Sequence, residues 1–311
     1  MKNMNAEPSE NRNPPPVSVR NSLAPLIERY AMEEGVTETQ YPGLILGRFN
    51  RPVPRYPLVY SPSVCVVAQG RKQVYSANER VVYDPLHYLV VALPLPLEAE
   101  VVIASPKRPF LALALEIDMS MIGKLLLEMA EEEQLEEDNR LGKSIYTSNM
   151  NEDLLNAVKR LLRALETPVT RRILGPGAVW EILYHVLKGE QGAFLRSIVL
   201  RNGGSKSIMR VVRYLQENYN KQHNINSIAR YAGMSKSTLQ HVFKRFVDQS
   251  PIQYLKKIRL HQARLMIVGK GYNASDAAHE VGYNSTSQFS REFKRLFGLP
   301  PSRSAENLQN E

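Results

Sequence analysis

The spacing of apolar residues repeats in the C-terminal third of the chain, within residues 224–297. In the first copy Leu239 and Phe243 lie four residues apart, and in the second copy Phe289 and Phe293 do the same. Each pair follows a short apolar segment and a glycine. This order predicts a short helix, a turn at positive φ and a second helix with one buried face. The pattern therefore predicts two helix-turn-helix units.

A further amphipathic segment separates the two copies. Ser250 and Pro251 supply an N-cap and a proline for the first helical turn, and the apolar pattern continues to about Ile267. We expect this connecting helix to dock against both units. The apolar residues expected to make that contact are Leu255, Ile258, Ala263 and Leu265.

Upstream of these units the apolar pattern changes to short β-branched and aromatic runs. Between Leu44 and Ile117 the runs are separated by Pro, Gly, Asn and Asp, without a helical segment between them. Such a succession predicts a barrel or jelly roll. The predicted strands are Leu44–Phe49, Leu58–Tyr60, Val64–Gln69, Lys72–Tyr75, Arg80–Tyr83, Tyr88–Leu93, Glu98–Ile103 and Phe110–Ile117.

Helical spacing flanks the strand-rich region on both sides. Before it we predict a helix from Leu23 to Glu34, which ends at Gly35, and Gly203–Ser205 indicates a later hinge. The helices predicted after the strands are Ser120–Glu137, Asn151–Leu165, Pro176–Lys188, a short one within Gln191–Asn202, and Ile208–Asn218. The predicted fold class is α+β, with an N-terminal barrel and trailing helices before an all-α domain of two helix-turn-helix units joined by a linker helix.

Composition divides the chain at the predicted hinge. Residues 1–22 are polar and proline-rich, which predicts a flexible tail, and we assign residues 23–202 and 203–311 to two domains. The second domain carries 17 Lys and Arg against 7 Asp and Glu, whereas the rest of the chain carries 23 against 24. A strongly basic domain beside a nearly neutral one predicts a polyanionic partner for the basic domain.

Cysteine usage and hydropathy predict a cytoplasmic protein without a membrane partner. Cys65 is the single cysteine, so it cannot form an intrachain disulfide, and a reducing compartment fits. The first residues lack the apolar segment of a signal peptide. The longest apolar run, 88–104, contains two prolines and two glutamates, which argues against a membrane span.

The polar faces of the two predicted second helices carry side chains suited to DNA. Gln can pair with adenine and Arg with guanine through two hydrogen bonds, and Ser or Thr can bond several base edges. The helical period turns outward Ser237, Gln240, His241 and Lys244 in the first unit and Thr286, Ser287, Ser290, Arg291 and Lys294 in the second. The candidate phosphate contacts are Lys236, Lys244, Arg245, Lys294 and Arg295. Any amphipathic helix has a polar face, so the duplication and the basic charge carry this interpretation.

A series of spaced motifs runs through residues 206–303. They are Ala229-x3-Gly233-Met-Ser235, Phe243-Lys244, Ser250-Pro251-x2-Tyr254, Arg259-Leu260-x2-Ala263, Gly282-Tyr283, Phe289-Ser-Arg291-x-Phe293-Lys294 and Gly298-x-Pro300. In this order they resemble the AraC/XylS-type transcriptional regulators. The resemblance implies that the second helix of each unit enters one of two major-groove segments, about 34 Å apart. By position it places base contacts at Ser237, Gln240, His241, Thr286, Ser287 and Arg291.

The strand-rich half carries its own motifs. They are Pro42-Gly43-Leu, Ser63-Val-Cys65-Val-Val-Ala-Gln69-Gly70 and Tyr83-Asp84-Pro-x-His87-Tyr88. They resemble the N-terminal domain of one branch of that family, which implies a cupin-like sensing and dimerisation barrel with an unassigned effector. Candidate pocket residues are Cys65, Tyr75 and His87. Cys65 equally fits an inert, apolar strand position, and His87 a hydrogen-bonded structural residue.

Together these features predict a ligand-responsive, sequence-specific transcription regulator, which the resemblance favours as an activator. Its expected partners are double-stranded DNA and an unidentified small-molecule effector, with RNA polymerase and a second copy of the chain as further candidates. A constitutive DNA-binding protein whose barrel only dimerises would share the same C-terminal features.

The residues argue against an enzyme. His87 is the only histidine before His185, so the barrel lacks the several histidines that a metal-dependent cupin requires. No nucleophile and base pair, phosphate-binding loop or dinucleotide fingerprint is present in the sequence. We therefore expect no catalytic residue, no metal and no cofactor.

Overall fold

The computed structural model describes residues 22–76, 79–130, 143–189, 191–200 and 204–304. In these residues a domain of strands and helices precedes an all-helical domain. This order confirms the predicted fold class. The predicted tail, apart from its last residue, and Gly203 lie outside the described residues. No helix in the described ranges has the length and apolarity needed to cross a membrane.

Two antiparallel sheets form the N-terminal domain. The strands are Gly35–Glu38 (β1), Leu44–Phe49 (β2), Val53–Tyr60 (β3), Ser63–Gln69 (β4), Arg71–Tyr75 (β5), Arg80–Tyr83 (β6), His87–Val91 (β7), Leu95–Ile103 (β8), Phe110–Glu116 (β9) and Ile145–Asn149 (β10). In the described part of the chain, the larger sheet has the order β1-β2-β9-β4-β7-β10 and the smaller one β3-β8-β5-β6. Each predicted strand overlaps one of these, whereas β1 and β10 were not predicted.

The prolines of β3 explain why the prediction covered only its last three residues. Pro54 and Pro57 lie within the strand. Proline has no N–H to donate, so it is tolerated in strands that pair on one side only. Strand β3 is such an edge strand, because its neighbour in the smaller sheet is β8 alone.

In the described residues one helix precedes the strands, one lies between β9 and β10, and the other helices follow β10. They are Ala24–Glu28 (α1), Met119–Ala130 (α2), Glu152–Ala164 (α3), Pro168–Lys188 (α4), Gly192–Leu200 (α5), Gly204–Glu217 (α6), Ile225–Ala232 (α7), Lys236–Val247 (α8), Pro251–Lys270 (α9), Ala274–Glu280 (α10) and Thr286–Phe297 (α11). Helix α2 extends to the edge of the described residues, and the rest of the predicted Ser120–Glu137 helix lies outside them.

Three helix boundaries correct the prediction. Helix α1 is shorter than predicted, and the chain after it reaches β1, which pairs with β2. Helix α4 begins at Pro168, where Thr167 and Thr170 form a capping box, and Pro176 lies inside the helix rather than at its start. The hinge prediction is wrong at Gly204 and Ser205, which belong to α6.

The apolar interior consists of two clusters. The larger one extends from the sheets through α5 and α6 into α7, α8 and the first half of α9, and the rings of Phe194 and Phe246 lie 5.6 Å apart within it. The smaller cluster joins the second half of α9 to α10 and α11. On α9, Leu260 is buried, whereas Leu265, which we predicted to dock, is 64% exposed. The docking face is therefore rotated relative to the prediction at this end of the helix.

Polar contacts also connect the two domains. The Ser76 hydroxyl donates to Asp248 Oδ2 at 2.9 Å, and the Tyr254 hydroxyl donates to the Pro94 carbonyl at 3.1 Å. The Ser144 hydroxyl donates to the carbonyl of Phe246. The C-terminal residues in these contacts lie at the end of α8 or the start of α9, so this part of the chain is attached directly to the strand-rich domain.

Candidate nucleic-acid interface

Helices α7 and α8 form the first helix-turn-helix unit. Asn224 caps α7 by accepting the Ser227 N–H, and Ser235 caps α8 by accepting the Thr238 N–H. Between the helices Gly233 has φ 67°, in the left-handed region where glycine is favoured. The glycine ends α7 in this conformation, and α8 begins three residues later as a separate helix. This is the arrangement that the sequence predicts.

Helices α10 and α11 form the second unit with the same local signals. Asn273 caps α10 through the Asp276 N–H, and Ser285 caps α11 through the Gln288 N–H. Gly282 has φ 85° at the turn. The glycine is required here for packing as well, because a Cβ at this position would overlap the carbonyl oxygen of Asn220.

The second helix of each unit buries the pair of apolar residues that defines its stripe. Leu239, Phe243, Phe289 and Phe293 have no exposed surface. The predicted DNA-contacting residues are all exposed: Lys236, Ser237, Gln240, His241, Lys244, Arg245, Thr286, Ser287, Arg291, Lys294 and Arg295. Ser290 is half-buried. Contact between these side chains and DNA stays a prediction, but none of them is used to stabilise the core.

A half-buried carboxylate connects α11 to the linker helix α9. Glu292 accepts hydrogen bonds from Lys256 Nζ at 2.7 Å, the Tyr283 hydroxyl at 2.8 Å and Gln288 Nε2 at 3.1 Å. Burial alone would raise the pKa of Glu292, but these three donors lower it below its usual value. The carboxylate is therefore ionised at neutral pH and holds the orientation of α11.

The linker helix also holds the loop between α6 and α7. Arg259 donates from Nε to the Tyr219 carbonyl and from Nη2 to the Lys221 carbonyl, each at 2.7 Å. From the same loop, Gln222 Nε2 donates to the Gly282 carbonyl at 3.2 Å. These contacts connect the first unit to the turn of the second one, which fixes the two units relative to each other.

A cleft of about 490 Å³ lies between α8, α9 and α11. Lys244 and Arg295, predicted phosphate contacts on different units, both line it. Lys256 and Lys257 add two further cations, while Asp248 and Glu292 supply the negative charges. The structure thus brings one basic residue of each second helix to a common, mostly positive cleft.

The three candidate pocket residues lie in different places. Cys65 is buried, with burial raising its thiol pKa, and lines a cavity of about 390 Å³ between the two sheets. Tyr75 donates to Glu100 Oε2 at 2.5 Å and lines a separate cleft at the domain junction. His87 pairs with Asp84 through Nδ1 at 3.0 Å. Of the three, Cys65 alone lines the cavity between the sheets.

Sequence reasoning missed the polar residues of that cavity. Lys72, Tyr60 and Tyr83 line it, and the hydroxyls of Tyr60 and Tyr83 lie 3.5 Å apart. Nothing in the strand pattern separates a cavity lysine from one on a solvated face, so this signal becomes visible only with the strand register. Across the described ranges, no group of three His, Cys, Asp or Glu side chains is arranged to hold a metal ion.

Residues 40–194 match the AraC-type transcriptional regulator N-terminus, and residues 228–307 match a helix-turn-helix domain family. The virulence regulon transcriptional activator VirF of Yersinia enterocolitica is 26% identical over 169 residues, which cover 54% of this chain and 62% of VirF. The thermoregulatory protein LcrF of Yersinia pestis is 26% identical over 180 residues, 58% of this chain and 64% of LcrF. The matches therefore span less than two thirds of these relatives.

Solved structures of ToxT from Vibrio cholerae share the fold. One of them aligns with a TM-score of 0.59 at 10% identity and covers 88% of this chain and 98% of ToxT. Identity this low supports the fold alone. The two matched domains, in the order in which the structure places them, show that this chain belongs to the AraC-type transcriptional regulators.

Proposed function

We propose that this chain is a sequence-specific DNA-binding transcription regulator that responds to a small-molecule effector and acts as an activator. One observation carries the proposal. Both helix-turn-helix units bury their apolar stripe and leave every predicted DNA-contacting side chain exposed. The net positive charge of residues 203–311 supplies the affinity for phosphate that such a surface requires.

Family membership supports the other two parts of the proposal, which are activation and the response to a small molecule. VirF is named a transcriptional activator, and ToxT has been solved with an unsaturated fatty acid. We assign sensing to residues 23–202 and DNA binding to residues 203–311. Contacts with RNA polymerase and with a second copy of the chain belong to the same proposal. A regulator accounts for the two-domain architecture without an enzymatic activity or a cofactor.

The DNA-binding part of the proposal is tested with the whole chain. The DNA is a set of duplexes selected for tight binding from a pool of random sequences. We expect Gln240→Ala and Arg291→Ala to lose about 1–3 kcal/mol of discrimination at particular base pairs. Lys244→Ala should weaken binding to every sequence and reduce the salt dependence of log K by about one unit. Fluorescence anisotropy at several salt concentrations measures both effects.

The control is Lys107→Ala, which removes the same charge from an exposed position in the strand-rich domain. We expect it to leave DNA binding unchanged. Equal losses on selected and random DNA for Gln240→Ala, Arg291→Ala and Lys244→Ala would contradict the assignment of base contacts. The constitutive alternative predicts that no small molecule changes DNA affinity, since linked binding is reciprocal.

A further inference from the structure

The cleft between α8, α9 and α11 brings together cations from three helices. Lys244 lines it from α8, Lys257 from α9 and Arg295 from α11. In the residues that the structure describes, none of these three forms an ion pair with a carboxylate. The volume of the cleft, about 490 Å³, lies within the range of small-molecule sites. Three cations therefore face one space of suitable size.

Two carboxylates line the same cleft, and both already accept hydrogen bonds. Glu292 accepts one from Lys256 Nζ at 2.7 Å, and Asp248 accepts one from the Ser76 hydroxyl at 2.9 Å. Together with Lys256, the cleft has four cations against these two carboxylates, so it carries a net charge of +2. A dianion would balance this charge, whereas a monoanion would leave half of it.

Lys257 is the least solvated of the three cations without an ion pair. It is half-buried, whereas Lys244 and Arg295 are exposed. Burial lowers the pKa of Lys257, and the carboxylates of Glu98 and Asp248 offset this only in part. A poorly solvated ammonium without a paired anion is unfavourable. An anion bound in the cleft would therefore interact most strongly at Lys257.

A buried amide in the turn between α8 and α9 also lines the cleft. Gln249 is 8% exposed, and its side-chain Oε1 has no hydrogen-bond partner within the described residues. Buried polar atoms are normally hydrogen-bonded. The neighbouring Gln253 differs, because its Oε1 accepts the Ser250 N–H at 3.1 Å and caps α9. Gln249 thus offers an acceptor to a ligand that carries an O–H or N–H donor.

We propose that this cleft binds a small hydroxylated phosphate monoester. Its phosphate lies against Lys244, Lys257 and Arg295, and one of its hydroxyls donates to Gln249 Oε1. A phosphate monoester carries close to two negative charges at neutral pH, which matches the net charge of the cleft. The inference goes beyond the proposed function, because that function assigns residues 203–311 to DNA alone.

The DNA backbone is the other source of phosphate, and the cleft suits it less well. A phosphodiester carries a single negative charge and offers only acceptors, so it cannot donate to Gln249 or to the two carboxylates of the cleft. Lys244 and Arg295 are nevertheless predicted DNA contacts. A phosphate monoester in the cleft would occupy both, so we expect ligand and DNA to weaken each other's binding by the same factor.

The first test compares four probes on the full chain by calorimetry at constant ionic strength. Glucose 6-phosphate and ribose 5-phosphate are hydroxylated monoesters. Glucose lacks the phosphate, and gluconate keeps the hydroxyls but carries a monoanionic carboxylate. We expect at least one ester to bind, with gluconate at least about tenfold weaker and glucose weaker still. Binding of gluconate as tight as that of the esters, or no binding by either ester, overturns the inference.

The second test removes the buried amide and one cation separately. Gln249→Met keeps the side-chain length but removes the unpaired oxygen. We expect about 3–10-fold weaker ester binding and a ligand-free Tm that is unchanged or higher, because no buried acceptor is left without a donor. Lys257→Met should weaken ester binding about 10–100-fold.

The matched control is Lys270→Met, which removes an exposed lysine at the end of the same helix and outside the cleft. We expect it to leave ester binding unchanged. Unchanged ester affinity in Gln249→Met and Lys257→Met overturns the inference. An equal loss in Lys270→Met and Lys257→Met also overturns it, because the ester would then respond to net charge alone.

DNA binding by the same proteins separates this inference from the proposed function. Gln249→Met keeps every predicted DNA contact, so without ligand we expect it to bind selected DNA as the wild type does. Wild-type protein that discriminates DNA sequences but binds no ester refutes the inference and leaves the regulator function intact. Protein that binds an ester but discriminates no DNA sequence refutes the function and leaves the cleft assignment intact.

Competition between ester and DNA distinguishes the two sources of phosphate. We expect a saturating ester to weaken DNA binding by the wild type about tenfold. An ester that binds without changing DNA affinity would lie outside the cleft, which overturns the assignment. If Lys257→Met weakens DNA binding while neither ester binds the wild type, a backbone phosphate occupies the cleft and the inference is overturned.

Discussion

The two helix-turn-helix units have the same order of helix, turn and helix, but they pack against different parts of the molecule. The first unit shares its apolar interior with the strand-rich domain, and its second helix ends at Asp248, a non-glycine residue at φ 59° that accepts a hydrogen bond from Ser76. The second unit has an interior of its own, ends at Gly298 and is oriented by Glu292. Duplication of a motif thus did not duplicate its surroundings. The first unit is therefore the one whose apolar interior is continuous with that of the strand-rich domain.

The largest expected difference concerns two matched phenylalanines. Phe243→Ala and Phe293→Ala each remove a fully buried ring and should cost about 3–5 kcal/mol. Phe243 belongs to the shared interior, so its loss should destabilise the whole chain. Phe293 belongs to the separate cluster, so its loss should unfold the second unit first.

Two probes of urea unfolding distinguish these outcomes. Trp180, the single tryptophan, packs against the larger cluster and reports on it by fluorescence, whereas circular dichroism reports on all helices. For Phe243→Ala we expect both transitions to shift together. For Phe293→Ala we expect the dichroism transition to precede the fluorescence transition. Coincident transitions in both variants would show that the two clusters unfold as one.

The two turn glycines give the next largest difference. Gly233→Ala should cost about 1–2 kcal/mol, because its φ is unfavourable for alanine while the added Cβ meets no atom within 4 Å. Gly282→Ala should cost about 1–3 kcal/mol more, because the Cβ also overlaps the Asn220 carbonyl. Urea midpoints of the two variants measure the difference. Equal midpoints would mean that the loop carrying Asn220 moves freely.

Acid should affect the second unit through His261. This residue is buried on α9, its ring lies 5.2 Å from that of Phe297, and burial together with Arg264 and Lys257 lowers its pKa to about 4. Between pH 6.5 and 4 the unfolded histidine binds a proton that the folded one does not. Stability should therefore fall by roughly 3 kcal/mol as the pH drops through this window, and this contribution should be constant below pH 4.

The variant His261→Gln isolates this effect, because glutamine does not titrate. We expect the free energy of unfolding of the variant to lose less of its value between pH 6.5 and 4 than that of the wild type. Glu292 titrates in a lower range and is present in both proteins, so it cancels in the comparison. Parallel pH profiles would exclude His261 as the source of the acid sensitivity.

The smallest effect should come from the contact that joins the first unit to the strand-rich domain. A double-mutant cycle of Ser76→Ala and Asp248→Ala should give a coupling energy of about 0.5–1.5 kcal/mol, the net value of one hydrogen bond. The φ strain at position 248 is present in the wild type and in each variant, so the cycle removes it. A coupling near zero would mean that the Ser76–Asp248 hydrogen bond adds nothing to the connection made by the shared apolar interior and by the Tyr254 and Ser144 contacts.

Local signals explain which parts of the fold the sequence predicted. Gly233, Ser250, Pro251 and Gly298 act on their own turns and caps, so the helices of both units followed from nearby residues. Strands β1 and β10 depend on distant partners, and their short, mixed sequences carry no equivalent signal. Pro176 misled the prediction because the capping box at Thr167 starts the helix eight residues earlier.

The same distinction applies to the candidate sites. The exposed residues predicted to contact DNA lie, in each unit, on the same helix as the apolar stripe that defines them, so helical spacing was sufficient to predict their exposure. The cavity between the two sheets is formed by strands far apart in sequence, and its small lining residues come together only when Gly47 is paired with Ala112 and Cys65 with Ala114. Neither the size of that space nor the position of Lys72 beside it follows from a single strand.

Strand β5 links the cavity to the DNA-binding domain by a short path. Lys72 lines the cavity and Ser76, four residues later, holds Asp248 at the end of α8. Along an extended chain four residues span about 13 Å, with side chains at even spacing on the same side. A displacement of β5 at the cavity would therefore be carried along the same short length of backbone to Ser76 and its contact with the end of α8.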